Sequence, residues 1–217
     1  MQQISFLVVD DHPVFRQGIV ALVQSDPRYH VSAEAGSMDE ALDAMRHVQA
    51  DIALVDISLY DKSGLDFIRM LHIERPQVPV LIISMHDELV YTSRALKAGA
   101  RGYVMKHEDA SVIREAIATV LAGHVYVSEK MRHHLLDTMY GQPSDEADSP
   151  VDRLSDREFE VFKLFGLGYG AKEISQVMNI STKTVSAYRD RLRQKLNVST
   201  AAELRKLAAT WMIDRSR

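Results

Sequence analysis

Four short apolar segments in the first half of the chain each end at a polar side chain. The polar residues that follow them are Asp10 with Asp11, Asp56, Ser84 and Lys106. The carboxyl ends of parallel strands lie at one edge of an α/β sheet, and ligands usually bind there. Three carboxylates, one hydroxyl and one ammonium at that edge predict a site for a divalent cation and a phosphoryl group.

The residues up to about position 125 alternate between strand and helix patterns. The predicted strands are Ile4–Val9, Val31–Ala35, Ile52–Val55, Val80–Ile83 and Gly102–Met105. The predicted helices are Pro13–Ser25, Met38–Val48, Gly64–Ile73, Leu89–Ala98 and Ala110–Ala122. The strands are nearly all apolar, as expected when helices cover both faces of a parallel sheet. Right-handed crossovers then give a doubly wound, five-stranded α/β domain over residues 1–125.

The remaining residues have a different organisation. Residues 126–150 predict a partly helical linker, in which a helix over Ser128–Tyr140 precedes a polar, acidic segment that ends at Pro150. Residues 151–217 show helical periodicity alone and predict an all-α domain of four helices. Their predicted ends are marked by Leu167, Met178, Leu196 and Trp211. The tight turn between the middle pair is typical of a helix-turn-helix.

Polar residues mark several helix starts. Ser37 and Glu40, Ser155 and Glu158, and Thr200 and Glu203 have the spacing of capping boxes. Ser181 is a predicted N-cap.

Composition limits the classes to which this chain can belong. It has no cysteine, which excludes disulfides, thiolate zinc sites and cysteine nucleophiles and fits the cytosol. No apolar stretch approaches the roughly 20 residues of a membrane span, and no basic segment precedes the first strand. We therefore expect a cytoplasmic protein.

The charge is distributed unevenly along the chain. Residues 1–150 carry 13 Lys and Arg against 22 Asp and Glu, whereas residues 151–217 carry 13 against 8. The net charges of −9 and +5 predict that only the C-terminal part meets a polyanion.

A carboxylate can attack a phosphoryl group and hold it as an acyl phosphate. A magnesium ion (Mg²⁺) removes the repulsion between the two anions and binds through oxygen ligands. We assign Asp56 as the nucleophile. The predicted metal ligands are Asp10, Asp11, Asp56 and the backbone carbonyl of Ser58. The predicted ligands of the phosphoryl oxygens are Lys106 and Ser84. His12, next to the acidic pair, is interpreted as a loop or N-cap residue rather than as a metal ligand.

The segment Lys183–Leu196 predicts one amphipathic helix with a net charge of +4. Val185, Leu192 and Leu196 form an inward stripe, and Lys183, Ser186, Asp190 and Arg193 lie roughly opposite. This charge and the small residues Ser186 and Ala187 fit a major groove. Asp190 has two open interpretations, since it could pair with a neighbouring arginine or accept a hydrogen bond from cytosine.

Four motifs in the first domain, together with the C-terminal third, resemble bacterial response regulators of the NarL/FixJ class. In the first domain these are Val8–His12, the spacing from Asp56 to Gly64, Ile83–Glu88 and Gly102–Lys106, which are similar to a receiver domain. The C-terminal third resembles a LuxR-type helix-turn-helix at Leu154–Val161, Ala171–Ile174, Ser181–Val185 and Lys195–Leu196. One departure is Leu59-Tyr60, which stands where many receivers have Met-Pro and is expected to alter the lifetime of the phosphoryl group.

The resemblance implies the strand order 2-1-3-4-5 and a regulator of transcription rather than an enzyme. A sensor histidine kinase would phosphorylate Asp56, Ser84 would then move toward the phosphoryl group, and Tyr103 would turn inward. Phosphorylation would favour a homodimer bound to double-stranded DNA. The implied DNA contacts are Lys172, Lys183, Thr184, Ser186, Ala187, Arg189 and Arg191. The implied dimer contacts are Leu204, Leu207 and Trp211.

Two other functions are weighed against this one. A phosphatase of the haloacid dehalogenase kind would need a second carboxylate at position 58, which is serine here, and a cap domain that is not present in the sequence pattern. A regulator that works without phosphorylation would not need the intact set of Asp10, Asp11, Asp56, Ser84 and Lys106.

Overall fold

The computed structural model describes residues 3–59, 62–140 and 150–215. The chain divides into two compact units, Met1–Leu135 and Leu136–Arg217. Tyr60 and residues 141–149 of the predicted linker lie outside the described residues. No helix in the described parts of the chain has the length and hydropathy that a membrane crossing requires.

The N-terminal unit is built on a five-stranded parallel sheet. Its strands are β1 (Ile4–Val9), β2 (Tyr29–Ala35), β3 (Ile52–Val55), β6 (Val80–Ser84) and β7 (Gly102–Met105). They lie in the order β2-β1-β3-β6-β7. Numbered within this sheet alone, the order is 2-1-3-4-5, so the predicted order is confirmed. The strands β4 (Ser58–Leu59) and β5 (Lys62–Ser63) form a small antiparallel pair after β3. This pair was not predicted, because two-residue strands show no periodicity.

Four helices connect the sheet strands, and a fifth follows the last strand. They are α1 (Pro13–Gln24), α2 (Met38–His47), α3 (Gly64–Glu74), α4 (Glu88–Ala98) and α5 (Ala110–Leu121). Each differs from its predicted range by one residue at one end. Ser37 caps α2 by accepting the N–H of Glu40, but the Glu40 carboxylate accepts from Gly36 rather than from Ser37, so the predicted capping box is only half formed.

The core of this unit lies on the face of the sheet that α1 and α5 cover. Phe6 and Leu54 from the strands pack there with Ile19 of α1 and Ile117 of α5, and all four side chains are buried. Alternate strand residues point to the opposite face, and those of β1, β3 and β6 are equally buried, which explains the continuous apolar runs in the sequence.

The C-terminal unit is helical. The helix α6 (Glu129–Tyr140) precedes a 3₁₀ turn at Pro150–Arg153 in the chain. Four helices follow this turn: α7 (Asp156–Gly166), α8 (Ala171–Val177), α9 (Thr182–Lys195) and α10 (Ala201–Arg215). The capping box at Ser155 and the N-cap at Ser181 are confirmed, and Glu203 and Thr200 cap each other's N–H groups at the start of α10. The last helix continues four residues beyond its predicted end at Trp211.

Gly64 brings the start of α3 against the end of β3. Its N–H donates to the carbonyl of Ile57 at 2.7 Å. A Cβ atom at this position would lie 2.1 Å from the carbonyl oxygen of Asp56 and 2.8 Å from Cα of Ile57. Both atoms belong to the backbone, so neither can move aside without displacing the residues that surround Asp56.

Replacing Gly64 with alanine should therefore destabilise the N-terminal unit by about 3 kcal/mol, because overpacking against backbone cannot be relieved by a rotamer change. The matched control is Gly18→Ala in α1, where a Cβ would meet no described atom within 4 Å. This control should stabilise the unit by about 0.5–1 kcal/mol, since alanine favours the helix.

Urea denaturation of the full chain measures both changes by far-UV circular dichroism. Fluorescence of Trp211, the single tryptophan, reports separately on the C-terminal unit. Equal stabilities for the two glycine variants would show that the close approach at Gly64 is unimportant.

Candidate functional site

Three strand ends bring a lysine between two carboxylates. Asp10 follows β1, Asp56 follows β3 and Lys106 follows β7. Nζ of Lys106 lies 2.7 Å from Oδ2 of Asp10 and 2.8 Å from Oδ2 of Asp56. All three side chains are buried, so water screens their charges only weakly. One ammonium against two carboxylates leaves an excess negative charge, which favours a cation.

Burial raises the pKa of the Asp56 carboxyl group, because desolvation disfavours its charged form. The charge and the hydrogen bond of Lys106 act in the opposite direction, and a backbone hydrogen bond from Ser58 at 3.3 Å also lowers the pKa. The anionic form of Asp56 therefore depends on Lys106.

The residues at this edge fit a divalent cation. Donor atoms of Asp10, Asp11, His12 and Asp56 all lie within 4.8 Å of one another. Oδ1 of Asp11 is buried and accepts no hydrogen bond from the described residues, which is the state of an oxygen that an ion would satisfy. The predicted group of acidic residues is thus brought together by the fold.

The other predicted residues lie beside the cluster. Ser84 ends β6, is fully buried, and its hydroxyl accepts the N–H of His86 at 3.3 Å. The hydroxyl of Tyr103 donates to the carbonyl of His86 at 2.8 Å. Burial raises the pKa of Tyr103 well above its usual value, so its hydroxyl stays protonated. The inward orientation expected for Tyr103 is already present in this structure.

His86 joins these groups and was not singled out in the sequence. Its Nε2 lies 2.7 Å from the hydroxyl of Ser58, and its ring stacks on Tyr91 with centroids 4.6 Å apart. It therefore connects the loop before α4 with the strand β4 that follows Asp56. The only signal in the sequence was its place inside the motif Ile83–Glu88.

Two residues at the start of α1 make contacts that the sequence did not predict. His12 is the N-cap of α1 by position, as interpreted, but its side chain makes no capping hydrogen bond and lies against the acidic cluster. The ring of Phe15 lies beneath Lys106, with Nζ 4.5 Å from its centroid. This cation–π contact attracts the ammonium to the face of the aromatic ring.

In the C-terminal unit, α9 presents the predicted amphipathic pattern. Val185, Leu192 and Leu196 are buried, which confirms the inward stripe. The predicted DNA contacts fall into two groups: Lys172, Lys183, Ala187 and Arg191 are exposed, and Thr184, Ser186 and Arg189 are partly exposed. The guanidinium of Arg191 lies over the ring of Tyr188 at 4.9 Å. These residues leave a basic, solvent-accessible helix face.

Asp190 lies between two arginines on this face. Its Oδ1 is 3.5 Å from Nε of Arg189 and 3.9 Å from the guanidinium nitrogen Nη1 of Arg193. Of the two interpretations left open by the sequence, the arginine pairing is the one seen in this structure.

Two family models match the chain. The response regulator receiver domain matches residues 6–118, and the luxR family of bacterial regulatory proteins matches residues 152–208. The chain belongs to the response regulators with a LuxR-type domain. Several relatives of this chain are named as transcriptional regulators.

Relatives of similar length resemble this response regulator over most of its sequence. The transcriptional activator protein ExaE of Pseudomonas putida is 37% identical and aligns over 93% of this chain and 94% of its own length. The nitrate/nitrite response regulator protein NarP of Escherichia coli is 33% identical over 88% of each chain.

Solved structures show the same fold. The RcsB response regulator of Salmonella typhimurium superposes with a TM-score of 0.66 at 22% identity, covering 97% of this chain and 98% of the other. A LuxR-family response regulator from an Aurantimonas species is 30% identical with a TM-score of 0.59, covering 64% of this chain and 99% of the other.

The last helix of this response regulator corrects one expectation. Leu204 was expected to take part in a dimer interface, but it is only 1% exposed because it packs inside its own helical unit. Trp211 also contacts that core, with its ring 5.4 Å from Phe159 and 6.0 Å from Phe162 in edge-on contacts. Leu207 and Trp211 are partly exposed and remain as candidate dimer contacts.

An ion pair between a buried carboxylate and an exposed lysine holds the end of α9 to the start of α7. Nζ of Lys195 lies 2.7 Å from Oε2 of Glu158, whose side chain is buried and also accepts the N–H of Ser155. Desolvation acts to raise the pKa of Glu158, but the hydrogen bonds from Lys195 and Ser155 outweigh it and lower that pKa below its usual value of 4.5.

Replacing Lys195 with methionine should reduce the stability of the helical unit by about 1–2 kcal/mol at pH 7, because Glu158 stays buried without its cation. A group with a lowered folded pKa contributes stability above its unfolded pKa and loses it as the pH falls through the folded pKa. Wild type and variant should therefore converge as the pH falls through the lowered pKa of Glu158.

Urea unfolding followed by Trp211 fluorescence at a series of pH values measures this difference. Lys206→Met, on the exposed surface of α10, is the control and should match wild type. A stability difference that is independent of pH would exclude Glu158 as its source.

Proposed function

We propose that this response regulator accepts a phosphoryl group on Asp56 from a sensor histidine kinase and that phosphorylation controls its binding to double-stranded DNA as a homodimer. The observation that carries the proposal is the buried bridge of Lys106 between Asp10 and Asp56. In this proposal, residues 1–125 form the receiver that is phosphorylated, residues 126–150 form a linker, and residues 151–217 form the domain that binds DNA. A cytoplasmic location belongs to the same proposal.

In the transfer step, a carboxylate oxygen of Asp56 forms a bond to phosphorus while the bond from phosphorus to the kinase imidazole breaks. The leaving imidazole takes a proton from solvent. Lys106 is already in hydrogen-bond contact with Asp56, so it can shift one N–H to a phosphoryl oxygen without leaving the site.

Asp10, Asp11, Asp56 and the backbone carbonyl of Ser58 would hold a magnesium ion in this proposal. The ion would supply positive charge that offsets the approach of the anionic donor to the anionic acceptor. The buried Oδ1 of Asp11 supports this assignment, since it needs a positively charged or hydrogen-donating partner.

The proposed switch begins at Ser84. Its hydroxyl can donate to a phosphoryl oxygen while it accepts from the N–H of His86. Any displacement of Ser84 then acts on His86, which is bonded to Ser58 and Tyr103. Since α4 begins at Glu88, two residues after His86, the movement would reach the surface formed by α4. The altered surface would favour the dimer.

The proposed DNA contacts lie on α8 and α9. Lys172, Lys183, Arg189 and Arg191 would bind phosphates and fix the position of the domain, whereas Ser186 and Ala187 would approach base edges. Thr184 would contribute a further contact next to Ser181. Dimers would read two half-sites about one helical turn apart.

Replacing Asp56 with asparagine should abolish phosphorylation, because the amide cannot form the acyl phosphate. Incubation with acetyl phosphate and Mg²⁺, followed by phosphate-affinity electrophoresis, measures the modification. Asp66→Asn, an exposed carboxylate on α3, is the control and should be phosphorylated like wild type.

The same samples test the regulator. DNA fragments selected by the phosphorylated wild type from random sequences should bind more weakly to Asp56→Asn treated in the same way. Equal affinities with and without phosphorylation would instead favour a regulator that works without phosphorylation. Release of phosphate from small phosphate esters in many turnovers would favour the phosphatase alternative.

Replacing Arg191 with alanine should weaken binding to all DNA sequences by a similar factor, because the proposed contact is to phosphate. The slope of log K against log salt should fall by about 0.9, the value for one neutralised phosphate. Arg205→Ala, an exposed arginine on α10, should leave the slope unchanged. An altered base preference with an unchanged slope would contradict the phosphate assignment.

A further inference from the structure

His12 adds a nitrogen donor to a cluster of carboxylates. Oxygen ligands suit Mg²⁺ and Mn²⁺, whereas imidazole suits later transition-metal ions such as Co²⁺, Ni²⁺ and Zn²⁺. We infer that Nδ1 of His12 is a ligand of the cation at this site and that it favours divalent transition-metal ions over Mg²⁺. This inference rests on the proposed function, because it assumes that the acidic cluster binds a divalent cation.

The distances around His12 fit one shared ion. Nδ1 lies 2.7 Å from Oδ1 of Asp11, 3.4 Å from Oδ1 of Asp10 and 4.0 Å from Oδ2 of Asp56. Two donors that are each about 2.1 Å from one octahedral ion lie about 3.0 Å apart when adjacent and about 4.2 Å apart when opposite. The three separations come close to this range, so small side-chain movements would complete the coordination.

The backbone holds His12 in this place. Its N–H donates to Oδ1 of Asp10 at 2.8 Å, and Pro13 begins α1 directly after it. An N-cap side chain normally bonds to the helix backbone, but His12 forms no such bond and its imidazole faces the carboxylates instead. The ring is 64% exposed, so an ion can reach Nδ1 from solvent.

The contact with Asp11 also points to an ion. Nδ1 of His12 and Oδ1 of Asp11 lie within ion-pair distance, yet this oxygen accepts no hydrogen bond from the described residues. The close approach is thus not a directed hydrogen bond. A cation between the two atoms would satisfy both at once, because each has a lone pair available when the imidazole is neutral.

Binding of Mg²⁺, Mn²⁺ and Co²⁺ to the full chain, after removal of metal with a chelator, tests this inference by calorimetry. His12→Asn should lower the affinity for Co²⁺ by about tenfold, lower the affinity for Mn²⁺ by a smaller factor, and change the affinity for Mg²⁺ by less than about twofold. His47→Asn, an exposed histidine on α2, is the matched control and should change neither affinity. Asp11→Asn should weaken the binding of all three ions.

Pulsed electron paramagnetic resonance of bound Mn²⁺ gives a direct readout of the ligand. Wild type should show coupling to an imidazole nitrogen, and His12→Asn should not. A structural role of His12 would leave that coupling in place or change all affinities by the same factor.

The outcomes separate the two proposals. Affinities that depend on Asp11, with the Co²⁺ to Mg²⁺ ratio and the nitrogen coupling unchanged in His12→Asn, would overturn the role of His12 and leave the metal site intact. Failure of every ion to bind in an Asp11-dependent manner would overturn the metal site and the role of His12 together.

Discussion

The ion pair between Lys106 and the carboxylates of Asp10 and Asp56 is the interaction on which the receiver site depends. It joins the ends of β1, β3 and β7, so it exists only when the sheet has its observed strand order. Buried charges are costly, and removing one partner leaves the others uncompensated. The cluster therefore adds little to the stability of the fold. Its importance is chemical, because its excess negative charge favours a cation and its ammonium favours a phosphoryl oxygen.

A second group of contacts links this cluster to the surface. His86 bonds to Ser58, accepts from Tyr103 through its carbonyl and donates through its N–H to Ser84. Because Ser58 follows Asp56 by two residues and His86 precedes α4 by two, a change at the acceptor acts on both sides of His86. Packed side chains of this kind have few alternative arrangements, so a small shift at the site can be passed on as a discrete change.

The sequence predicts the acidic cluster well and its surroundings poorly, for physical reasons. Asp56 and Lys106 follow short apolar runs, and the parallel sheet alone brings such positions to one edge. The contacts of His12 and His86 depend on side-chain rotamers in loops, which no periodicity records. The strands β4 and β5 are too short to carry a pattern, and Leu204 shows that an apolar helix stripe does not reveal how much of it the domain's own core uses.

The recognition helix α9 is held at both ends by contacts that leave its basic face open. Ser181 caps its first turn, Lys195 bonds to Glu158 of α7, and the guanidinium of Arg193 bonds to the carbonyl of Ser199 before α10. In the proposed DNA complex, these contacts would reduce the conformational entropy that the helix loses on binding. Asp190 lowers the positive charge of the same face and contacts Arg189 and Arg193. In the proposed DNA complex, a carboxylate in this place would weaken the attraction to phosphates of any sequence. Discrimination between sequences would then come from Ser186 and Ala187, which are proposed to approach base edges.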